Sequence, residues 1–376
     1  MDPNLLLAIF TASMVIIGSI FIGWAAESTE RFMAPGLALA ILAFLQTLPE
    51  YTVEAVIVWS RNTHLMVANL TGSLRLLLGF GWPMIYIIAA VSHGMRTKTF
   101  FKKLELNPHQ CLETVFLIPA LIYFIIIWFK GTLTPIDGII LIAMFIWFIK
   151  TISRTKIGEE EELEDTDIPS VVRKIIHARP ARRNVSISLL FLIGGTMILV
   201  VVHPFVESLK TLAVSWGISE FLFIQWVAPF VSEFPEKTTA FIWASRIKKA
   251  STGLMNMVSS NLNQWMLLAG SLPLIFSLSS GGYSTISFDA HQREEILLTI
   301  LQTAMILACL WDAKVTWWEV VLIFGLWLIG FFMPSERHYM IQAHLVAFAL
   351  IILSSAFWQP VPEIWRRASS ELKNQK

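Results

Sequence analysis

Gln46-Thr47-Leu48-Pro49-Glu50-Tyr51-Thr52 and Ser232-Glu233-Phe234-Pro235-Glu236-Lys237-Thr238 hold the two Pro-Glu pairs of this chain that stand in long apolar surroundings. Each is followed, after a short polar turn, by a second small-polar block. In the first half it reads Asn69-Leu70-Thr71-Gly72-Ser73, and in the second Asn256-Met257-Val258-Ser259-Ser260-Asn261. Glu50 lies 19 residues before Asn69 and Glu236 lies 20 before Asn256, so each half offers two helices joined by a tight turn. Proline at 49 and 235 removes one helical donor each and leaves backbone carbonyls short of partners. A helix irregularity is therefore expected beside each glutamate.

The surroundings of these motifs define the class of protein. Of 376 residues, 55% are hydrophobic and only 15% charged, whereas soluble domains carry about 25% charged residues. A soluble globular protein is excluded. The net charge of +1 provides no basic field for nucleic acid. Two cysteines, Cys111 and Cys309, suit neither a disulfide framework nor a thiolate metal site. HExxH, nucleophile-elbow and Walker patterns are missing, so the reading is not an enzyme. The apolar runs predict eleven spans, near 5–25, 34–60, 64–92, 112–129, 132–150, 185–205, 216–245, 252–280, 294–311, 316–333 and 339–358. With that count, 21 basic residues fall on the side away from the N-terminus and five on the N-terminal side. The positive-inside rule then places the N-terminus outside and the C-terminus in the cytoplasm of a multi-pass protein of the cell (inner) membrane. The first span has no basic leader segment and reads as a retained helix rather than a signal peptide.

On this topology the helix with Glu50 enters from the cytoplasmic side and the helix with Glu236 from outside. One motif entering from both faces is the signature of a secondary transporter with a midplane site. The two blocks resemble the alpha-repeats of the cation/Ca2+ exchanger superfamily, the sodium/calcium and proton/calcium antiporters. The family pattern is roughly Gly-Thr-Ser-x-Pro-Glu followed by Gly-Asn-x-x-Gly-Ser-Asn. The resemblance implies an all-α polytopic membrane protein of about eleven helices: two inverted five-helix repeats and one extra C-terminal helix. Its divisions are a first repeat over 1–150 with its motif over about 44–80, a charged cytoplasmic loop over 151–184, a second repeat over 185–335 with its motif over about 229–266, and an extra helix with tail over 336–376. The loop, acidic over Glu159–Asp167 and then basic, reads as a solvated linker, the alternative being recruitment of a regulatory cation. The pattern is not kept everywhere. Gln46 and Ser232 stand where it has Thr, Leu74 replaces the Asn after Ser73, and Leu77 takes a place filled in the second half by Gln264.

Ionisable groups in hydrocarbon cost at least about 2.5–3.5 kcal/mol each, so they persist where they pair, line water or bind something. Ca2+ takes six to eight oxygens, more than carboxylates alone provide. Glu50 and Glu236 would neutralise a divalent ion, and Thr47, Asn69, Ser73, Ser232, Asn256 and Ser260 would complete its shell. The competing reading makes the asparagines and serines bonds across helix contacts, and the glutamates buried neutral or paired groups. Glu54, one turn after Glu50, reads as a proton carrier or a cation's partner. Glu233 and Lys237, four residues apart, read as a helix ion pair. Arg75 and Lys237 place positive charge in the two motifs, where Arg75 would take over the role of a coupled ion or compensate acids. The expected function is a secondary antiporter moving Ca2+, with Na+ or H+ as counter-ion, and no resident cofactor. Its expected partners are the lipid bilayer and small inorganic cations, with no nucleic acid. The rival readings are an exchanger altered for a monovalent cation or an anion, and a membrane scaffold that does not transport. The sequence leaves the oligomeric state open.

Overall fold

The computed structural model describes residues 3–30, 32, 47–106, 108–152, 169–245, 250–354 and 362–373. In the first half these form α1 (Pro3–Glu30), α2 (Leu48–Trp59) and α3 (Thr63–Leu76). A π-helical turn, Leu77–Gly81, carries α3 into α4 (Trp82–Thr97). Then follow β1 (Lys103–Glu105), α5 (Pro108–Lys130), β2 (Thr132–Leu133) and α6 (Pro135–Ile152). A short α7 (Ser170–Ile176) precedes the second half, which opens with α8 (Pro180–Ser215), α9 (Glu220–Ser232), α10 (Phe234–Ala244) and α11 (Ala250–Asn263). A second π turn, Gln264–Leu268, leads into α12 (Ala269–Ser279), then β3 (Ile286–Ser287), α13 (Ala290–Cys309), β4 (Lys314–Thr316), α14 (Trp317–Phe332), α15 (Arg337–Leu353) and α16 (Glu363–Lys373). The acidic run of the 151–184 loop lies outside the described residues.

Among the described residues six helices are long and apolar enough to cross a bilayer, or seven if the pair Trp317–Phe332 and Pro334–Leu353, bent by 110°, is one span. Other apolar runs of the sequence take the form of shorter or interrupted helices. The run over 216–245 is two helices, because Pro235 cannot donate back to α9 and the helix stops at Glu233. Residues 33–46 of the second run are outside the described set. The turn after α2 is closed by Arg61 in the left-handed region (φ 58) and by Asn62 Oδ1, which accepts from Leu65 N at 3.0 Å.

The chain divides into two compact units, Met1–Asn69 with Ile149–Glu236, and Leu70–Phe148 with Lys237–Lys376. In the first, α1 lies along α8, with Thr11 and Ser208 hydroxyls 3.3 Å apart. The helices meet backbone to backbone at Gly18 and Gly194: a Cβ on Gly18 would come within 2.9 Å of the Gly194 carbonyl, and one on Gly194 within 2.6 Å of the Gly18 carbonyl. Gly18→Ala is expected to destabilise the α1–α8 pair by about 1–3 kcal/mol, since backbone cannot move aside as a side-chain tip can. Thermal unfolding in detergent reads this directly; an unchanged midpoint would mean that the helices can slide apart freely.

In the second unit, inverted symmetry is visible in the connections. β1 pairs antiparallel with β4, Leu104 opposite Val315, and β2 pairs with β3, Leu133 opposite Ile286. Since α5 runs from β1 to β2 and α13 from β3 to β4, these two packed helices run in opposite directions between the same two sheets. At the β1 end, α16 docks on α5 by its Ile364–Ala368 face, and the Arg367 guanidinium donates to Leu106 O at 2.7 Å. Glu363 accepts from Arg367 and Arg366, and these bonds hold its carboxyl below the ordinary glutamate range. A lowered value stabilises docking above the ordinary range and loses that stabilisation as pH falls through the lowered value. Amide exchange in α16 is therefore expected to be slow at neutral pH, to speed up in acid, and to be fast at all pH in Arg367→Ala.

Candidate functional site

Both Pro-Glu motifs open a helix. Leu48, Pro49 and Glu50 are the first three residues of α2, and Phe234, Pro235 and Glu236 the first three of α10. Proline is accommodated there because first-turn amides have no helical acceptor anyway. Thr47 is the N-cap of α2, its carbonyl accepting from Tyr51 N at 2.9 Å. The Glu236 side chain lies outside the described residues.

In the first unit, Thr47, Glu50, Glu54, Asn69 and Ser232 are all buried. Glu50 and Glu54 share one face of α2, four residues apart. Asn69 Nδ2 donates to Glu54 Oε2, which leaves Glu54 Oε1 and Asn69 Oδ1 without a hydrogen bond among the described residues. Two oxygens are thus presented in a dry interior where such atoms normally find partners. The Ser232 hydroxyl donates to Ala228 O at 3.0 Å, so its lone pairs are what it can offer an ion. Glu233 is buried as the C-cap of α9, and the helix break places Lys237 on a separate helix, α10.

In the second unit, Ser73, Ser260 and Gln264 are buried and Asn256 is half-buried. The two π turns begin at Leu77 and Gln264, each eight residues past its motif asparagine, so the repeat extends to a local helix defect. Such turns widen a helix by one residue and recur at functional sites. Each is fixed by an aromatic: a Cβ on Gly79 would fall 2.2 Å from the Trp327 ring, and Trp265 packs edge-on to Phe124 at 4.4 Å. Arg75, two residues after Ser73, points around the other side of α3 and pairs with Glu295 at 3.2 Å, where Arg337 of α15 also binds. Its charge is compensated from α13. Lys237 is buried.

Several polar residues come to light only in the structure. Asn261 is fully buried, with neither side-chain polar atom hydrogen-bonded among the described residues. Gln225 is buried on the α9 face that also carries Ser232. Glu113 accepts from Ser259 Oγ at 2.5 Å. Asn261 stood in the quoted motif, directly after Ser260. Glu113 and Glu295 were obscured because they lie at the edges of the apolar runs, while their helices start more than a turn earlier. Among the described residues no group of three or more His, Cys, Asp or Glu side chains could hold a metal ion. The oxygens on offer come from isolated carboxylates, carboxamides and hydroxyls.

No curated protein sequence matches the chain. Among solved structures, the chain is similar to the H+/Ca2+ exchanger CAX, with 29% identity and a TM-score of 0.87, covering 100% of this chain and 91% of that one. It shares its fold with the sodium-calcium exchanger NCX_Mj soaked with Na+ and Sr2+, at 16% identity and a TM-score of 0.57, covering 87% of this chain and 97% of that one. The family model for the sodium/calcium exchanger protein matches residues 4–153 and 186–334, which take in both Pro-Glu motifs and both π turns. Two motif-bearing halves, inverted helix connections and this match lead to one conclusion: the chain belongs to the sodium/calcium exchanger family.

Proposed function

We propose that the protein is a secondary antiporter that moves Ca2+ across the cell membrane against a counter-ion, with the N-terminus outside and the C-terminus cytoplasmic. The observation that carries this reading is the Glu50, Glu54 and Asn69 group: two buried carboxylates on the first turns of a helix, with two oxygens unclaimed among the described residues. In a membrane interior that arrangement is costly unless a cation balances it. Glu50 and Glu236 neutralise the divalent charge. Thr47, Asn69, Ser73, Ser232, Asn256 and Ser260 supply oxygens, and Gln264 is a further candidate for coupling. Glu54 is the group that exchanges cargo for counter-ion, because Asn69 holds one of its oxygens and leaves the other open.

Coupling follows from charge. The same carboxylates cannot hold Ca2+ and its counter-ions together, so loading of one ion expels the other, and the empty, uncompensated site resists reorientation. Similarity to an H+/Ca2+ exchanger supports the proton as counter-ion, and a carboxylate is chemically fit for it. The domain division follows the repeats, 1–150 and 185–335, with the 336–376 segment outside them.

Uptake of radioactive calcium into vesicles under imposed proton or sodium gradients tests the reading. Accumulation driven by a pH gradient and abolished by an ionophore that collapses it is the expected result. No calcium movement under either gradient would overturn it. Glu50→Gln and Glu236→Gln are expected to stop uptake, whereas a scaffold would leave wild-type vesicles equally inactive.

A further inference from the structure

The α1–α8 pair combines two features that ion transport does not use, a cluster of positive charge and an apolar groove. Between Asp167 and Glu207 the chain carries Arg173, Lys174, Arg179, Arg182 and Arg183 and no acid. α7 is anchored by its apolar face. Val172 and Ile176 are buried and pack with Trp24 of α1, which leaves Arg173 and Lys174 exposed. Arg179 and Arg182 are exposed as well, while Arg183 is half-buried with its guanidinium 3.6 Å over the Phe32 ring. The acids at this end of α1 are Glu27 and Glu30, two against these five basic residues.

The groove lies farther along the same two helices. It has a volume of about 360 Å³ and is lined by Met14 of α1 and by Leu192, Ile193, Thr196, Met197 and Val200 of α8. Helical spacing of three and four puts Arg182, Val185, Leu189, Leu192, Thr196 and Val200 on one stripe of α8, and all six are exposed. α8 has 36 residues, a length of about 54 Å against a hydrocarbon layer of about 30 Å. Its first turns therefore stand in the headgroup layer while the stripe runs into the acyl region. Leu192 is about 15 Å along the axis from Arg182 at 1.5 Å per residue. A phospholipid spans half of a bilayer about 40 Å thick. One held by its headgroup at Arg182 lays an acyl chain along Val185 and Leu189 and reaches the groove with its end.

We propose that an anionic phospholipid is a bound ligand of the α1–α8 pair: its headgroup phosphate meets Arg179 and Arg182, and one acyl chain ends in the groove beside Met14. Guanidiniums pair well with phosphate oxygens, and basic clusters at the end of a spanning helix draw anionic lipid in particular. A zwitterionic lipid offers the same phosphate but brings its own ammonium, so it competes poorly for the arginines. The site depends on neither the ion nor the counter-ion proposed above.

Native mass spectrometry of the full chain in detergent, titrated with dioleoyl phosphatidylglycerol or dioleoyl phosphatidylcholine, tests the site without transport. The wild type is expected to bind phosphatidylglycerol about twentyfold more tightly, at about fivefold for each of two arginines. Arg179→Gln combined with Arg182→Gln is expected to bring the two lipids level. Ile193→Trp, which fills the groove, is expected to weaken both lipids about tenfold, the worth of about two buried methylenes. Leu199→Trp, on α8 but outside the groove, is expected to change neither. All four positions are exposed, so the packed interior is untouched. Equal affinities in the wild type, a preference that survives the double substitution, or full binding by Ile193→Trp overturns the proposal. So does a preference that emerges only when Glu159, Glu160, Glu161 and Glu162 are all changed to Gln, for the arginines then answer the chain's own acidic run.

Discussion

A Glu54→Gln variant is expected to fold as the wild type does and to lose calcium uptake by about a hundredfold or more. The substitution is isosteric, and Asn69 can still donate to the remaining carbonyl oxygen of residue 54. What disappears is the negative charge that this fully buried group can present to a bound cation. Leaving a buried ion one partner short costs about 3–5 kcal/mol, which sets the scale of the loss. Asn69→Ala should act more mildly, about tenfold, because it removes a donor and an oxygen but no charge. Initial rates of calcium uptake over a concentration series measure both. Wild-type rates in Glu54→Gln would exclude this carboxylate from the ion's path.

The other large effect falls on stability. Glu295→Gln leaves the Arg75 and Arg337 guanidiniums facing each other with no carboxylate between them. A destabilisation of about 3–5 kcal/mol is expected, the usual consequence of stranding a buried charge. Arg75→Leu combined with Glu295→Leu should recover most of it, since no unpaired charge then remains deep in the unit, and Arg337 at the start of α15 can turn to the membrane surface. Thermal unfolding in detergent distinguishes these cases. Equal midpoints for the single and double variants would show that the three side chains are not coupled.

How far this could be foreseen differs residue by residue. Helix starts at Leu48 and Phe234 were legible because proline acts on its own backbone. The division of the 216–245 run into α9 and α10 was not, because hydropathy does not register a helix break. Nor was Glu295. The capping box of Asp289 and Gln292 starts α13 early enough to carry this acid more than a turn inside, while hydropathy sees only the edge of an apolar run. Both π turns escaped notice too, since a widened turn changes hydrogen bonding without changing composition.

The amino-acid sequence by itself determined the membrane class, the twofold repeat and the residue types able to meet a cation, because these depend on composition and on spacing along one helix. Tertiary structure alone decided which buried charge answers which: Asn69 to Glu54, Arg75 and Arg337 to Glu295, and Ser259 to Glu113. Side chains far apart in the chain meet only when helices pack. In hydrocarbon a charge must find its partner wherever the fold brings one.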